Sequence, residues 1–173
     1  METKNYKTAI LAGGCFWCLE AAFEKVPGVV DVESGYCGGE TENPTYDQVC
    51  TGTTGHAESV RITFEPEKIS YERILSLFWK IHDPTTKNRQ GADVGEQYRS
   101  VIFYLDEDQK RIAETSLQTE QKKLLAPIVT QIMPASRFWV AEDWHQDYYR
   151  ANPQAPYCRF VIEPKLKKFE TAS

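Results

Sequence analysis

A strand-to-helix junction that carries two thiols constrains this chain more than any other feature of its sequence. The apolar run 9–12 predicts a short buried strand, and from Phe16 onward apolar residues recur at helical spacing. Two glycines between these elements let the backbone turn sharply and leave the first amides of the helix uncovered. Cys15 follows the glycines and Cys18 lies one helical turn later, so both thiols belong to one face of the helix.

The position of Cys15 predicts a reactive thiol. At a helix N-terminus, unpaired amides and the helix dipole stabilise negative charge, which lowers the pKa of a thiol. We therefore expect Cys15 to be a nucleophile or a redox centre rather than a packed core cysteine. Cys18 is compatible both with a resolving thiol and with a small apolar residue on the buried helix face.

The composition predicts one globular domain over residues 1–173. Hydrophobic residues make up 41% of the chain and charged residues 26%, which suffices for a core without disulfides or structural metals. The net charge of −5 and the lack of an extended basic patch argue against nucleic-acid binding. No apolar run approaches the roughly 20 residues of a membrane span, and the polar start does not resemble a signal peptide. We expect a cytoplasmic monomer in which residues 165–173 form a solvated tail.

The pattern of strands and helices predicts an α+β fold. The expected strands cover 9–12, 30–36, 60–64, 101–105, 128–133 and 137–140. The expected helices start at Phe16, after the capping residues Ser70 and Asp106, and over 142–150. Long polar loops over 40–56 and 83–97 separate these elements. This order predicts a two-layer sandwich of helices packed on a mixed or antiparallel sheet, with a ferredoxin-like core.

The two long loops carry the other candidates for chemistry. Glu58 follows the first loop and is either a solvated strand residue or, beside an apolar pocket, a protonated acid that can donate its proton. Tyr46, Tyr98 and Asp93 border the loops, and each taken singly is equally compatible with a packing or turn role. His56 is interpreted as an ordinary hydrogen-bonded histidine.

A zinc site is an alternative use of the cysteines. The chain has five of them, and an odd number at irregular spacing argues against a disulfide framework. Structural zinc needs two close ligand pairs, whereas Cys15 and Cys18 are close in sequence and Cys37 and Cys50 are not. We therefore expect no metal.

Six segments that cover nearly the whole chain carry a family resemblance. They are GGCFWC at 13–18, GYCGG at 35–39, NPTYDQVCTGTTGHAE at 43–58, FWKIHDPT at 78–85, RQGADVGEQYRS at 89–100 and AEDWHQDYY at 141–149. In this order they resemble the peptide methionine sulfoxide reductases of the A type. The pair GCFW and GHAE is specific, whereas a bare CxxC is not.

The resemblance implies the reduction of methionine S-sulfoxide, free or in proteins, to methionine. It implies that a thiolate nucleophile becomes a sulfenic acid and then a disulfide, which reduced thioredoxin opens, with no metal or organic cofactor. The implied roles are nucleophile for Cys15, proton donor for Glu58, assistance from Tyr46, Tyr98 and Asp93, and binding of the substrate methyl group by Phe16 and Trp17.

The cysteine that resolves the sulfenic acid is the point where the family pattern divides. Many relatives carry it in a glycine-rich C-terminal tail, and Cys158 stands at the start of the corresponding region. The segment after Cys158 reads as structured, however, and Cys18 is adjacent to Cys15, so we expect Cys18 to resolve, with Cys158 second. Cys37 and Cys50 are expected to be packed thiols near the site.

Two other functions remain open from the sequence. A thiol–disulfide oxidoreductase of thioredoxin type explains CxxC after a strand but not the GHAE segment, and a zinc-binding module is the alternative outside enzymes.

Overall fold

The computed structural model describes residues 4–172. Its strands are β1 (Lys7–Ala12), β2 (Val29–Cys37), β3 (Ala57–Phe64), β4 (Arg89–Gln90), β5 (Asp93–Val94), β6 (Val101–Tyr104), β7 (Gln131–Pro134) and β8 (Trp139–Val140). Its α-helices are α1 (Phe16–Phe23), α2 (Tyr46–Cys50), α3 (Tyr71–Ile81), α4 (Glu107–Gln121), α5 (Tyr148–Ala151) and α6 (Glu163–Ala172). A π-helical turn, Cys158–Ile162, leads into α6.

A six-stranded sheet in the order β7-β6-β1-β3-β2-β8 forms one layer of the molecule. Strand β1 pairs antiparallel with β3 and β6, and β2 pairs antiparallel with β3 and β8. Only the pairing of β6 with β7 in this sheet is parallel, so the sheet is mixed. Strands β4 and β5 form a separate small hairpin. The predicted α+β class is confirmed.

The main core lies between one face of the sheet and the helices. Helix α3 buries Ile74, Leu75 and Phe78, which recur at helical spacing, and its N-terminus is capped by Ser70, whose hydroxyl accepts the Arg73 amide. A smaller cluster on the other face of the sheet is closed by partly buried residues of the segment 135–138. No helix within residues 4–172 combines the length and apolar character that crossing a membrane requires.

The segment 142–150 differs from its prediction as one aromatic helix. It forms a 3₁₀ turn over Asp143–His145 and then the short helix α5. Asp147 between them has a φ of +54°, the left-handed conformation, and this interrupts the helix. The loops over 40–56 and 83–97 also contain short elements, α2 and the β4–β5 hairpin.

The prediction of a solvated tail over 165–173 is wrong for the described part of that segment. Residues up to 172 form helix α6, which buries Leu166 and Phe169 in the main core. The ring of Phe169 lies edge-on to that of Phe23, with centroids 6.0 Å apart. Together with Ile162 these side chains form a stripe at spacings of four and three residues, which the lysines between them obscured. Ser173 lies outside the described residues.

The substitution Phe169→Ala should therefore destabilise the protein. Removing a buried ring leaves a cavity, and we expect the free energy of unfolding to fall by about 3 kcal/mol in urea titrations. Lys167→Ala, at an exposed position of the same helix, is the control and should stay within about 0.5 kcal/mol of the wild type. Equal stabilities of the two variants would show that the C-terminal segment is not docked.

Candidate active site

The turn between β1 and α1 presents Cys15. Gly14 has a φ of +88°, and a Cβ there would meet the side chain of Gln90 at 2.9 Å, so both the conformation and the space require glycine. The Gly14 amide donates to the carbonyl of Tyr98 at 3.2 Å, which ties the turn to the second long loop. Cys15 is the N-cap residue of α1 and is 6% exposed. The predicted strand–turn–helix junction is confirmed.

Cys18 lies one turn into α1 and is in hydrogen-bond contact with Cys15. Both thiols are reduced and buried. The Cys18 Sγ atom also lies 3.8 Å from the Tyr157 hydroxyl and 3.8 Å from Lys165 Nζ. Two segments near the C-terminus of the chain thus contact the second thiol of the motif.

Glu58 approaches the same turn from strand β3. Its side chain is buried, and its Oε1 atom accepts the Phe16 amide, the first of α1, at 3.3 Å. Its Oε2 atom has no hydrogen-bond partner. Burial raises the pKa of Glu58 to about 8 against the opposing effect of the Phe16 amide, so the carboxyl is mostly protonated at neutral pH. Glu58 is therefore an acid with a proton to donate.

The pKa of Cys15 shifts in the direction opposite to the one expected from the sequence. Burial, the hydrogen bond with Cys18 and the charge of Glu58 raise the pKa of Cys15, and the amide of Trp17 offsets these effects only in part. The hydrogen bond from Cys15 and the charge of Lys165 lower the pKa of Cys18 to about 7 despite its burial. A free helix terminus would lower the pKa of Cys15, but here Glu58 takes the first amide of α1 and the terminus is buried.

Tyr46 comes from the first long loop and Asp93 and Tyr98 come from the second, and the three residues lie in the same region. Burial and the charge of Glu58 raise the pKa values of Tyr46 and Tyr98, so both hydroxyls remain protonated near the acid. Asp93 accepts a hydrogen bond of 2.7 Å from the Tyr157 hydroxyl. Asp93 therefore holds the tyrosine that contacts Cys18.

The aromatic residues predicted to bind the substrate differ in exposure. Phe16 is fully buried, whereas Trp17 is half-buried. The indole of Trp17 stacks on Tyr148 with ring centroids 3.7 Å apart, and Tyr157 meets it edge-on at 5.7 Å. Trp17 thus borders the thiols with an apolar surface, and Phe16 supports it from behind.

His145 is a residue whose importance the sequence reasoning missed. Its Nδ1 atom accepts the Trp17 indole N–H at 3.0 Å, and its ring lies 5.0 Å from that of Phe16 and 4.4 Å from that of Tyr46. Burial lowers its pKa to about 4, so it stays neutral. The density of aromatic residues over 141–149 was the signal that could have found it.

Glu142 is a second such residue. Its carboxylate accepts the hydroxyl of Tyr36 at 2.9 Å and the amide of Tyr46 at 3.1 Å, which joins strand β2 to the start of α2.

The remaining cysteines do not assemble a metal site. Cys37 contacts the hydroxyl and carbonyl of Ser136, and Cys50 bonds the hydroxyl of Tyr46. Within the part of the chain that the structure describes, the only group of side chains close enough to share a metal ion is acidic, namely Glu20, Glu24 and Asp147. The zinc alternative required four cysteines together, which this arrangement does not provide. Cys50 is exposed, so its prediction as a packed thiol is wrong.

His56 bonds backbone groups at both ring nitrogens. Its Nδ1 accepts the Gly39 amide at 3.0 Å, and Nε2 lies 2.7 Å from the Thr41 carbonyl oxygen. The interpretation of His56 as an ordinary hydrogen-bonded histidine is confirmed.

Comparison with known proteins gives one consistent result. The profile of a family described as peptide methionine sulfoxide reductase matches residues 7–173. The chain is 54% identical over 163 residues to the peptide methionine sulfoxide reductase MsrA of Sulfolobus acidocaldarius, which covers 94% of this chain and 93% of that protein.

Solved structures agree with the sequence comparison. The structure is similar to that of Mxr1 from Saccharomyces cerevisiae in reduced form, with 34% identity, 91% of each chain covered and a TM-score of 0.85. The complex of Mxr1 with Trx2 contains a chain that is 27% identical over 85% of this chain and 87% of its own, with a TM-score of 0.61.

The raised pKa of Glu58 should be visible in the pH dependence of stability. Between pH 4.5 and about 8 the folded protein retains a proton that the unfolded chain releases, so Glu58 makes the protein less stable as pH rises through this window. Glu58→Gln removes this effect. We expect the stability of the wild type relative to the variant to fall by on the order of 1 kcal/mol per pH unit in urea titrations.

Glu20→Gln is the matched control for this measurement. Burial also raises the pKa of Glu20, to about 7. The effect of Glu20 on the free energy of unfolding should therefore level off above that pH, whereas the effect of Glu58 should continue to grow. A difference in unfolding free energy between the wild type and Glu58→Gln that does not change with pH would show that Glu58 is ionised in the folded protein.

Proposed function

The chain belongs to the peptide methionine sulfoxide reductase family and is an oxidoreductase, and we propose that it reduces methionine S-sulfoxide, free or in proteins, through Cys15 and Glu58. One observation carries the assignment of these residues. The amide that holds Glu58 belongs to Phe16, the residue next to Cys15, and the other carboxyl oxygen has no partner. The Cys15 thiol and the Glu58 oxygen that has no hydrogen-bond partner therefore lie close to the same turn.

Protonation of the sulfoxide oxygen is the role of Glu58. The sulfur of a sulfoxide is a poor electrophile until its oxygen receives a proton or strong hydrogen bonds. Neutral Glu58 supplies the proton, and the protonated hydroxyls of Tyr46 and Tyr98 stabilise the charge that develops on oxygen. A neutral Glu58 also no longer opposes the ionisation of Cys15.

Oxygen transfer then converts Cys15 from a thiol to a sulfenic acid. The Cys15 sulfur bonds to the sulfoxide sulfur, and the protonated oxygen then migrates to the Cys15 sulfur. The transient sulfur–sulfur bond and the sulfur–oxygen bond of the substrate both break, and the oxygen ends on Cys15 as S–OH. The substrate sulfur gains the two electrons that the Cys15 sulfur loses, and methionine leaves. Glu58 gives its proton to the oxygen and regains one from the Cys15 thiol, so the step needs no external co-reactant.

Three contacts with the substrate explain the proposed preference for one epimer of methionine sulfoxide. The sulfoxide sulfur must face Cys15, its oxygen must face Glu58, and its methyl group packs on the half-buried indole of Trp17. The opposite epimer exchanges two of these groups and cannot make all three contacts.

Cys18 is the proposed resolving thiol. It already contacts Cys15, whereas Cys158 is fully buried in the π-helical turn that leads into α6. Reduced thioredoxin is the proposed electron donor, supported by the complex of the yeast relative with Trx2.

The proposal retains several expectations from the sequence. These are a single catalytic domain, a monomer, a cytoplasmic location, and the absence of a metal or an organic cofactor. The strand order β6-β1-β3-β2, with α1 and α3 as the connecting helices, supports a ferredoxin-like core. Asp93 is assigned an indirect role through Tyr157.

The substitution Glu58→Gln should slow the first turnover. An amide is a far weaker proton donor than a carboxylic acid, so we expect methionine to form about 100-fold more slowly when enzyme and methionine sulfoxide are mixed in rapid-quench experiments. Cys15→Ser sets the baseline and should form none.

Glu20→Gln is again the control, because it removes a buried carboxyl of raised pKa that bonds Ser34 outside the site. Its first turnover should match that of the wild type. Unchanged kinetics of Glu58→Gln would refute the acid role.

The position of the disulfide tests the resolving step. After one turnover without reductant, peptide mapping should find Cys15 linked to Cys18. Cys158→Ser should form the same linkage at the wild-type rate, because Cys158 stays buried in its turn. Cys18→Ser should stop at the sulfenic acid. A linkage between Cys15 and Cys158 in the wild type would assign the step to Cys158.

A further inference from the structure

A lysine from the far end of the chain contacts the second thiol of the motif. Lys165 Nζ lies 3.8 Å from Cys18 Sγ, although the two residues are separated by 147 positions. Lys165 is half-buried near the start of α6, and the neighbouring Leu166 anchors that helix in the core. The position of this cation is therefore set by packing.

The surroundings of Cys18 contain groups of both charge types. Helix α1 and its cap contribute Cys18 itself and Cys15. Other elements contribute further charged or titratable side chains, namely Glu58, Asp93, Tyr157, Cys158 and Lys165. Glu58 is mostly neutral near pH 7. Asp93 acts against a charge on Cys18 but bonds Tyr157, whose hydroxyl points to the same sulfur. Lys165 is the cation in this set.

We propose that Lys165 is a positioning residue that holds Cys18 as a thiolate for the disulfide-forming step. This inference rests on the proposed function, in which Cys18 resolves the sulfenic acid. Only the thiolate is an effective nucleophile, and a cation at this distance favours it over the thiol. The hydrogen bond from Cys15 and, after it, the charge of Lys165 lower the pKa of Cys18 to about 7, a direction that agrees with this geometry.

The step balances within the site. The Cys18 thiolate attacks the sulfur of Cys15–SOH, the sulfur–sulfur bond forms and the sulfur–oxygen bond breaks. The oxygen leaves as hydroxide and takes up a proton to become water. The Cys18 sulfur is oxidised by one electron and the Cys15 sulfur is reduced by one electron, so both reach the same oxidation level in the disulfide.

The same cation assists the next step. When an external thiolate attacks the Cys15 sulfur of the disulfide, Cys18 is the leaving group. A thiol of lower pKa leaves faster, so Lys165 favours reduction of the disulfide with Cys18 as the leaving group.

The substitution Lys165→Met tests the inference, because it keeps most of the side-chain length and removes the charge. One equivalent of methionine sulfoxide is added to the reduced enzyme over a range of pH. Methionine, the sulfenic acid trapped by a dimedone-type reagent, and the Cys15–Cys18 disulfide are then followed in the same samples. Lys165→Arg retains the charge, and Lys167→Met removes a lysine whose ammonium pairs with Glu163 at the surface.

We expect the conversion of sulfenic acid to disulfide in Lys165→Met to be about five-fold slower at pH 7. The pH of half-maximal rate should rise by about one pH unit, the effect expected of one charge at this distance in a partly screened site. At high pH the rate should reach the wild-type plateau, which a packing defect would not restore. Lys165→Arg and Lys167→Met should follow the wild-type profile.

A Lys165→Met profile that superimposes on that of the wild type would overturn the inference alone, as would an equal defect in Lys165→Arg. If the wild type forms no methionine, or if its disulfide does not include Cys18, both the proposed function and this inference are overturned.

Discussion

The hydrogen bond between the Phe16 amide and the buried carboxyl of Glu58 is the interaction on which the site depends. It joins the first turn of α1 to strand β3, so the proposed nucleophile and the proposed acid are linked through the backbone. Burial of this carboxyl keeps it protonated near neutral pH, and the helix amide keeps it oriented. A charged Glu58 would oppose ionisation of Cys15, so protonation of the acid and activation of the thiol favour each other.

Aromatic side chains form a frame around this link. Trp17 is held by His145 on one edge and by Tyr148 on one face, while Phe16 supports the cluster from the core. These contacts fix the ring that the substrate methyl group would meet. Because His145 stays neutral, the frame gains rigidity without introducing a charge that would compete with the acid and the thiols.

The C-terminal part of the chain completes the site. Tyr157, held by Asp93, and Lys165, held by the packing of α6, both contact Cys18. This gives the two thiols different surroundings: Cys15 is beside an acid and Cys18 is beside a cation. Different pKa values follow from these surroundings, and they suit the proposed roles of Cys15 as the nucleophile and Cys18 as the resolving thiol.

The sequence by itself determined the strand–turn–helix at Cys15, the caps of α3 and α4, the α+β class and the family, because these depend on local spacing and on motifs. Only the tertiary structure decided which groups surround each thiol. Glu58 reaches Cys15 through strand pairing, and Lys165 reaches Cys18 through a helix whose apolar stripe was hidden among lysines. The direction of the Cys15 pKa shift was therefore misjudged. A helix terminus is a local feature, whereas burial and the charges of distant residues act through space.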